Sequence, residues 1–373
     1  MTHRLVLVGA GHAHMLFMAT MPEINSRDIE VTVISPHDQE YYSSMGPGML
    51  GGRYRPDELM IPVRRIVESG NGNFILDKVA RVNADEKFLS LKSGIRIAYD
   101  AVSFNIGSRV SSKALAKHCP ERNIFAVKPV YNLLEARRRI IELAGKARLR
   151  IGVIGGGSSG LEVAANSEKT CLEQGGYDGS IRIYCGRRFL GKIAERPGKL
   201  AHRALEKRKI EILEGSRVKE VSEDRAVTLE DGRVFQEDLI FLAPGIKPPD
   251  LFLRSGLKTG PDGGLRVNKH LQCPDHPELF GAGDCIYFQK TPLDKVGVYA
   301  VRQSPVLYRN LIAFLRGKPL EIFHPGGNYL LAYNLGDGRG IIHKGWLAFN
   351  GRSAFRLKNH LDRKFMKIFL AWK

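Results

Sequence analysis

Two glycine-rich loops, each between an apolar run and an apolar helical segment, restrict the folds open to this chain more than any other feature. The first, residues 9–14 (GAGHAH), follows the run 5–8, and the second, residues 155–160 (GGGSSG), follows residues 149–154. A strand, a glycine turn and a helix in this order bind a pyrophosphate through backbone amides and the helix N-terminus. The sequence therefore predicts an α/β fold with two Rossmann-like, three-layer ββα nucleotide-binding domains.

Composition excludes other classes of protein. Of 373 residues, 43% are hydrophobic and 26% charged, which suits a core and two or three domains. No run approaches the roughly 18 to 20 apolar residues of a spanning helix, and we interpret the start of the chain as a strand, not a signal peptide. Five cysteines without CxxC spacing indicate a reducing, cytoplasmic compartment. The net charge of +18 predicts an acidic partner, but we expect no nucleic acid, because the basic residues are scattered and no binding module occurs.

The order of the segments predicts one nucleotide-binding domain interrupted by another. Residues 74–99 alternate polar and apolar side chains, which predicts antiparallel hairpins within the first domain. The apolar runs 238–242 and 279–280 are expected to be strands that return to the first sheet. The predicted bounds are 1–110 and 235–315 for the first domain, 111–234 for the second, and 316–373 for a C-terminal region with an amphipathic tail.

The first loop departs from the dinucleotide fingerprint at two places. Gly9 permits the tight turn and Gly11 lets the backbone approach a pyrophosphate, but His14 replaces the third glycine. The acidic residue expected at the end of the second strand is missing, because Ser35 and Pro36 stand there. By itself this loop leaves open a glycine turn of any α/β sheet.

The second loop is a complete fingerprint, with Gly155, Gly157 and Gly160 between a strand and a helix. After the following strand, Arg187 and Arg188 stand where an acid would bind the adenosine ribose of NADH. Arginine there suits a 2′-phosphate, so NADPH is favoured over NADH. The alternative is that both arginines belong to a solvated basic surface.

Three further motifs carry a family resemblance: residues 281–284 (GAGD), 105–108 (NIGS) and 243–245 (APG). With the two loops they resemble the FAD-dependent pyridine nucleotide-disulfide oxidoreductase superfamily, particularly type II NADH dehydrogenases and sulfide:quinone oxidoreductases. The resemblance implies that the first domain binds FAD and the second NAD(P)H. It also implies that Asp284 holds a ribityl hydroxyl of FAD, a task that suits a short carboxylate.

A narrower resemblance is to the flavoprotein module fused to selenide, water dikinase, although no kinase domain accompanies it here. It covers nearly the whole chain and rests on residues 9–14, 42–48 (YSSMGPG), 297–303 (GVYAVRQ), 328–330 and 361–366. A link to selenium metabolism is an analogy of fold.

The resemblance implies a set of cofactor contacts in both domains. For FAD they are Gly9, Gly11, His12, His14, Ser35, Val79, Asn105, Gly107, Gly283, Asp284 and Gly297. For NAD(P)H they are Gly155, Gly157, Gly160 and Arg187.

Four residues are candidates for the redox step, which flavin itself carries out. Pro47 lies in a segment that can bring backbone beside the isoalloxazine ring, and Tyr299 and Gln303 are candidates to hydrogen-bond a quinone carbonyl. A packed helix cap is the alternative for these two. Glu162 matches a family position near the nicotinamide, although a surface glutamate would look the same.

Neither a thiol relay nor a metal site is expected. The cysteines do not form a pair on the first helix, which favours direct hydride transfer followed by reoxidation by a quinone or a soluble acceptor. Cys285 is interpreted as a packing residue. His12 and His14, two residues apart at a helix start, point in different directions, so we expect no metal there.

The end of the chain predicts a basic amphipathic helix, in which Lys358 and Lys364 flank an apolar stripe. Such a helix can lie in an anionic bilayer interface, or pack on the protein's own core or on a second copy in a homodimer. Its apolar stripe comprises Leu357, Leu361, Phe365, Ile368, Phe369 and Trp372.

The function that follows is an FAD-dependent oxidoreductase, cytoplasmic and peripheral on the inner face of the cell membrane, which passes electrons from NAD(P)H to a quinone. Two alternatives stay open. One is a flavoprotein that oxidises sulfide or a selenium species. The other is a flavin-bound partner module of a selenide, water dikinase-like protein without nicotinamide turnover.

Overall fold

The structure is a computed structural model, and it describes residues 2–21, 28–111, 119–145, 148–175 and 177–372. The helices are α1 His12–Met18, α2 Gly46–Leu50, α3 Pro56–Leu59, α4 Val63–Ser69, α5 Asn132–Ala144, α6 Ser158–Glu173, α7 Glu195–Glu206, α8 Leu251–Arg254, α9 Gly297–Leu315 and α10 Arg352–Lys367. Short 3₁₀ turns lie at Ser43–Met45, Pro120–Arg122, Gly283–Cys285 and Leu370–Trp372. The strands are β1 His3–Val8, β2 Ile29–Ser35, β3 Glu40–Tyr41, β4 Met60–Ile61, β5 Asn73–Leu76, β6 Val79–Asn83, β7 Phe88–Leu91, β8 Arg96–Ala98, β9 Ala101–Phe104, β10 Arg109–Val110, β11 Ile124–Ala126, β12 Arg150–Ile154, β13 Ser180–Tyr184, β14 Glu211–Leu213, β15 Val218–Val221, β16 Ala226–Leu229, β17 Val234–Gln236, β18 Leu239–Leu242, β19 Ile246–Lys247, β20 Leu265–Val267, β21 Leu279–Gly281, β22 Ile286–Phe288, β23 Leu330–Asn334, β24 Gly340–Lys344 and β25 Leu347–Gly351.

The first sheet is parallel, with the strand order β21-β9-β1-β2-β5. Leu5 and Leu7 of its central strand β1 are fully buried, as expected where helices cover both faces of a parallel sheet. The predicted return of residues 279–280 to this sheet is confirmed, since β21 pairs with β9. The carboxyl ends of β1, β9 and β21 therefore meet at one edge, and the loops that follow these strands lie side by side.

The second sheet is also parallel, with the strand order β11-β18-β12-β13-β14. Its central strand β12 leads into the second glycine loop. The expectation that residues 238–242 return to the first sheet is wrong, because β18 pairs with β11 and β12. A short apolar run is compatible with the interior of either parallel sheet, and only the tertiary structure selects the partner.

Two parallel sheets, the second formed by strands that lie between β9 and β21 along the chain, confirm the predicted α/β fold. The predicted hairpins are confirmed for residues 79–98, which form the antiparallel sheet β6-β7-β8. For residues 74–76 the prediction is wrong, because they lie in β5, which pairs in parallel with β2. The predicted start of the returning segment at residue 235 is too early, because β18 still belongs to the second sheet. The other domain bounds stay a prediction.

The C-terminal region folds as the antiparallel sheet β23-β24-β25, against which α10 packs. The predicted apolar stripe divides between two environments. Phe369 is fully buried and the Phe365 ring stacks on Tyr42 at 4.5 Å between centroids, whereas Leu357 and Leu361 are about 40% exposed.

Lys358 does not flank an exposed stripe, and that expectation is wrong. Its side chain is 4% exposed, and its Nζ donates to Asp362 Oδ2 at 2.8 Å and to the Ser44 carbonyl oxygen at 2.9 Å. An aspartate one turn further along the helix and a polar turn from a distant segment compensate the buried charge. In the described part of the chain, no helix combines the length and the apolar character needed to cross a bilayer.

Candidate active site

A cavity of about 440 Å³ lies at the carboxyl edge of the first sheet. It runs from the end of β2, near Ser35 and Asp77, past the first glycine loop to Asp284 and the start of α9. Ligands of open α/β sheets bind at this edge, where loops from several strands converge.

Most of the predicted FAD contacts meet in this cavity. The residues from the prediction that line it are Gly9, Gly11, His12, Ser35, Val79, Asn105, Gly107, Gly283, Asp284 and Gly297.

Asn105 holds the first loop and the segment after β21 together. Its Oδ1 accepts the Ala13 amide at 3.0 Å, and its Nδ2 donates to the Ala282 carbonyl at 2.6 Å. A Cβ on Gly11 would lie 2.3 Å from this Oδ1, so the close approach of Asn105 requires glycine there. Asn105 therefore sets the spacing between two sides of the cavity.

His14 is the predicted contact that does not line the cavity. Its ring is buried beneath the loop, with Nδ1 2.7 Å from the Gly9 carbonyl oxygen and Nε2 2.8 Å from Ser103 Oγ. Burial lowers the pKa of His14 to about 4, so the ring is neutral. A third glycine would let the helix pack directly on the strand. Here the imidazole occupies that space, and its hydrogen bonds to Gly9 and Ser103 hold the loop in place.

The far end of the cavity contains an ion pair that the sequence did not reveal. Asp284 Oδ2 accepts hydrogen bonds from Ser108 Oγ at 2.7 Å and from Lys128 Nζ at 3.0 Å. Burial acts to raise the pKa of Asp284, but the charge of Lys128 and these hydrogen bonds outweigh it and hold the pKa below its ordinary value. Asp284 is thus an ionised acceptor at neutral pH, with one carboxylate oxygen engaged by Lys128.

The cavity fits a flavin dinucleotide. An ideal Cβ built on Gly107 or Gly297 meets nothing within 4 Å, so both glycines leave free space on the cavity side. The start of α1 supplies amides and a helix N-terminus for a pyrophosphate, and Asp284 supplies an acceptor for a sugar hydroxyl. These residues would hold FAD, which would supply the redox chemistry.

The second glycine loop has the close packing that its fingerprint requires. Gly155 has a φ of +126°, and a Cβ on Gly160 would lie 1.9 Å from the Gly155 carbonyl oxygen. By contrast, a Cβ on Gly157 would meet nothing within 4 Å, so the backbone there is open to a ligand. Arg187 and Arg188 are exposed beyond the end of β13.

The predicted redox residues lie in three different places. Gln303 Oε1 accepts the Gly283 amide at 2.7 Å, and the Tyr299 ring contacts Tyr329 at 5.4 Å between centroids. Pro47 is buried in α2, outside the cavity lining. Gln303 is therefore a residue that positions the loop before Asp284, and its proposed contact with a quinone stays a prediction.

Glu162 is half-buried beside the second loop rather than on the surface. Its Oε1 accepts the Asn334 amide at 2.7 Å, which joins α6 to the C-terminal sheet. Burial raises the pKa of Glu162 to about 7, opposed by the charge of Lys358. A carboxyl group with such a pKa exchanges a proton near neutral pH.

The fold and the cavity define a class of protein, the oxidoreductases that carry two dinucleotide-binding units. The chain belongs to the pyridine nucleotide-disulphide oxidoreductase family, whose sequence profile matches residues 3–305. This confirms the predicted family, and with it the prediction of FAD and NAD(P)H as the cofactors that the family uses.

Three relatives of known name are similar in sequence to this chain. Ferroptosis suppressor protein 1 of Taeniopygia guttata is 30% identical over 210 residues, 52% of this chain and 53% of that protein. Putidaredoxin reductase of Pseudomonas putida is 29% identical over 255 residues, 65% of this chain and 56% of that protein. The chain thus spans about half the length of these two relatives. A type II NADH:quinone oxidoreductase of Staphylococcus saprophyticus is 20% identical over 387 residues, 97% of this chain and 94% of that protein.

Solved structures share the fold. Sulfide:quinone oxidoreductase of Aquifex aeolicus superposes with a TM-score of 0.81 at 17% identity, over 99% of this chain and 93% of that one. NDH2 of Plasmodium falciparum in complex with NADH superposes with a TM-score of 0.79 at 14% identity, over 100% of this chain and 98% of that one.

Proposed function

We propose that this protein is an FAD-dependent oxidoreductase that takes a hydride from NAD(P)H and passes the electrons to a quinone. The observation that carries the proposal is the cavity of about 440 Å³ between the first glycine loop and Asp284, in a chain with a second, complete dinucleotide fingerprint. One loop would hold the flavin nucleotide and the other the nicotinamide nucleotide.

The thiols favour direct hydride transfer over a sulfur relay. Burial raises the pKa of Cys171, Cys185 and Cys285 to about 12. A thiol with such a pKa is protonated at neutral pH and is a poor nucleophile. The sulfide- or selenium-oxidising alternative is therefore the weaker one for these three cysteines.

Proton supply to a quinone is supported by the ionisable groups around α10. Reduction of a quinone to a quinol needs two electrons and two protons. The charge of Lys358 acts on Glu162, and Lys358 itself contacts Asp362 and Ser44. We infer that Glu162, with its pKa of about 7, takes up a proton from solvent and supplies it as one of the two that the quinone needs.

A peripheral position on the membrane is supported by exposed apolar side chains of the C-terminal region. Trp346, in the turn after β24, is 73% exposed, and Leu357 and Leu361 are exposed together on one face of α10. Exposed arginines and lysines of α10 would face anionic lipid. The inner face of the cell membrane is the place we propose, and a homodimer stays a prediction.

Liposome binding tests the membrane proposal. Replacing Leu357 and Leu361 by Asp is expected to weaken co-sedimentation with anionic liposomes at least tenfold, because each buried leucine contributes about 1.5 to 3 kcal/mol before ordering costs. Leu253→Asp is the matched control, since Leu253 is 64% exposed on α8 in another region. Unchanged binding of the double variant would place the membrane contact elsewhere.

Anaerobic absorption spectroscopy tests the redox proposal. The purified chain is expected to show a flavin spectrum that bleaches on mixing with NADPH or NADH, and that returns when a short-chain ubiquinone is added. A flavin that neither nicotinamide bleaches would favour the partner-module alternative. Bleaching by sulfide alone would favour the sulfur or selenium alternative. The link to a selenide, water dikinase stays a prediction that a pull-down of such an enzyme would support.

A further inference from the structure

The carboxylate that the first dinucleotide loop lacks is present in the structure, after a neighbouring strand. In a Rossmann-like unit, an acid at the end of the second strand accepts a hydrogen bond from the ribose of the nucleotide whose pyrophosphate lies on the glycine loop. Here β2 ends with Ser35, and Pro36 follows. The next strand of the same sheet, β5, ends immediately before Asp77. The acid expected after one strand is therefore found after the strand beside it.

The register of the sheet places Asp77 beside the end of β2. Ser35 pairs with Leu76 in the parallel ladder between β2 and β5, so Asp77 is level with Pro36. The Asp77 amide donates to the Ser35 carbonyl oxygen at 3.0 Å, and both residues line the cavity. Neighbouring strands are about 4.8 Å apart. Asp77 thus lies one strand spacing from the place where the fingerprint puts its acid.

Neither residue at the end of β2 offers a charged acceptor. Ser35 is fully buried, and its Oγ accepts the His37 amide at 3.3 Å. Pro36 has no polar side-chain atom. A charged ribose acceptor at this end of the cavity therefore comes from another segment.

The Asp77 carboxylate is oriented by local hydrogen bonds and keeps acceptor capacity. Its Oδ1 accepts the Lys78 amide at 2.6 Å, and its Oδ2 accepts the Ser93 amide at 3.2 Å. The Ser93 hydroxyl and these amides hold the pKa of Asp77 below its ordinary value, so the group is ionised at neutral pH. An ionised carboxylate has about four acceptor sites. Capacity therefore remains for a hydroxyl of a ligand.

The other acidic residues of the cavity lining are less suited to this task. Asp250 pairs with two arginines at 3.2 Å each, and Asp284 pairs with Lys128. Burial raises the pKa of Glu40 to about 7, so that group is partly protonated at neutral pH. Among the described acidic residues that line the cavity, Asp77 is the ionised one that has no cationic partner.

A turn-forming aspartate is the simpler explanation of the two amide contacts. On that explanation, Asp77 holds the link between β5 and β6 to the turn between β7 and β8, and it contacts no ligand. Loss of the carboxylate would then loosen this end of the cavity for every ligand alike. A carboxylate that binds a ribose has a different consequence, because its loss weakens only ligands that carry the hydroxyl.

We propose that Asp77 binds the adenosine ribose of the flavin nucleotide, in place of the acid that β2 lacks. The inference rests on the proposed function, in which the first unit holds FAD. The pyrophosphate would lie at the start of α1, and the adenosine would extend from it toward the end of β2. The ribose 2′-hydroxyl then donates to the Asp77 carboxylate. A carboxylate after β5 thereby replaces the one expected after β2.

Titration of the flavin-depleted full chain with two cofactors tests the inference. One cofactor is FAD, and the other is its analogue that contains 2′-deoxyadenosine. The wild type is expected to bind FAD on the order of tenfold more tightly than the analogue, the size of one charge-assisted hydrogen bond. Asp77→Ala should weaken the binding of FAD by a similar factor, leave that of the analogue unchanged, and so abolish the preference. Quenching of flavin fluorescence measures each affinity.

Two further variants complete the experiment. Asp77→Asn, a neutral variant of similar shape, carries the same test if the alanine variant does not fold. Asp231→Ala is the matched control, because Asp231 is also a turn aspartate that accepts a backbone amide, that of Arg233 at 3.1 Å, but it lies outside the cavity lining. This control should keep the wild-type preference for FAD.

Three outcomes would overturn the inference. Equal losses for FAD and the analogue in Asp77→Ala would assign the carboxylate to the turn. Loss of the preference in Glu40→Gln but not in Asp77→Ala would place the ribose contact at Glu40. Equal affinities of the wild type for both cofactors would exclude the contact without any variant. A wild-type chain that takes up neither cofactor would instead end the proposed function, before any preference is measured.

Discussion

The two glycine loops join a strand to a helix by different means. In the second loop, Gly160 lets the helix approach the strand so closely that any side chain would meet the Gly155 carbonyl oxygen. In the first loop, His14 occupies the corresponding place, and its ring bonds to Gly9 and Ser103 across the interval. The comparison teaches that a fingerprint glycine can be replaced where a buried polar side chain bridges the space that opens.

The largest expected effect is at the second loop. Gly160→Ala would place a Cβ 1.9 Å from the Gly155 carbonyl oxygen. We expect a loss of about 2 to 3 kcal/mol in the free energy of unfolding from this overpacking, and loss of flavin reduction by NAD(P)H with FAD still bound. Thermal unfolding and anaerobic mixing measure both. Gly157→Ala is the matched control, because its Cβ would meet nothing within 4 Å. Equal stability of the two variants would show that the loop relaxes freely.

At the first loop, His14→Ala should cost about 2 kcal/mol in the free energy of unfolding, because two buried hydrogen-bond partners lose their bond. Ser103→Ala removes one of the same bonds, so the double variant should cost less than the sum of the two single variants. Chemical denaturation measures the three values. Additive losses would contradict the bridge that we describe. His14→Gly, which restores the fingerprint, should not recover the lost stability.

The second loop is also the one that we expect to discriminate between NADPH and NADH. Arg187→Ala should raise the KM for NADPH about tenfold and leave that for NADH unchanged, since one charge-assisted contact with a 2′-phosphate is lost, a difference of about 1.4 kcal/mol. Steady-state kinetics with both nucleotides measure it. The control is Lys192→Ala, an exposed lysine of the same segment. A parallel change for both nucleotides would assign Arg187 to the general surface charge.

A pH dependence of stability provides a separate test, beside the second loop. Burial raises the pKa of Glu162 from 4.5 to about 7, so the unfolded chain releases this proton at lower pH than the folded chain does. The contribution of Glu162 to stability is therefore greatest below pH 4.5, falls as the pH rises toward 7, and stays constant above it. Glu162→Gln should flatten this fall in denaturation profiles. Glu40→Gln is the corresponding variant in the cavity at the edge of the first sheet, because burial also raises the pKa of Glu40 to about 7. A Glu162→Gln profile with the wild-type slope would contradict the raised pKa.

Much of the candidate site was predictable because it consists of backbone conformations. A glycine turn after a buried strand, or an aspartate after a strand such as β21, is determined by neighbours along the chain. Gly9, Gly107 and Asp284 accordingly line the cavity as expected. The roles of Pro47 and Gln303 were harder to predict from the sequence, because each depends on which distant segment packs against the residue.

The sequence by itself determined the α/β class, the two loops and ten of the residues that line the cavity. Only the tertiary structure decided that β18 belongs to the second sheet, that Lys358 is buried with Asp362, and that Lys128 reaches Asp284. The physical reason is the range of the interactions. Turns and helix starts depend on a few adjacent residues, whereas strand partners and buried ion pairs depend on how segments far apart in the chain come together.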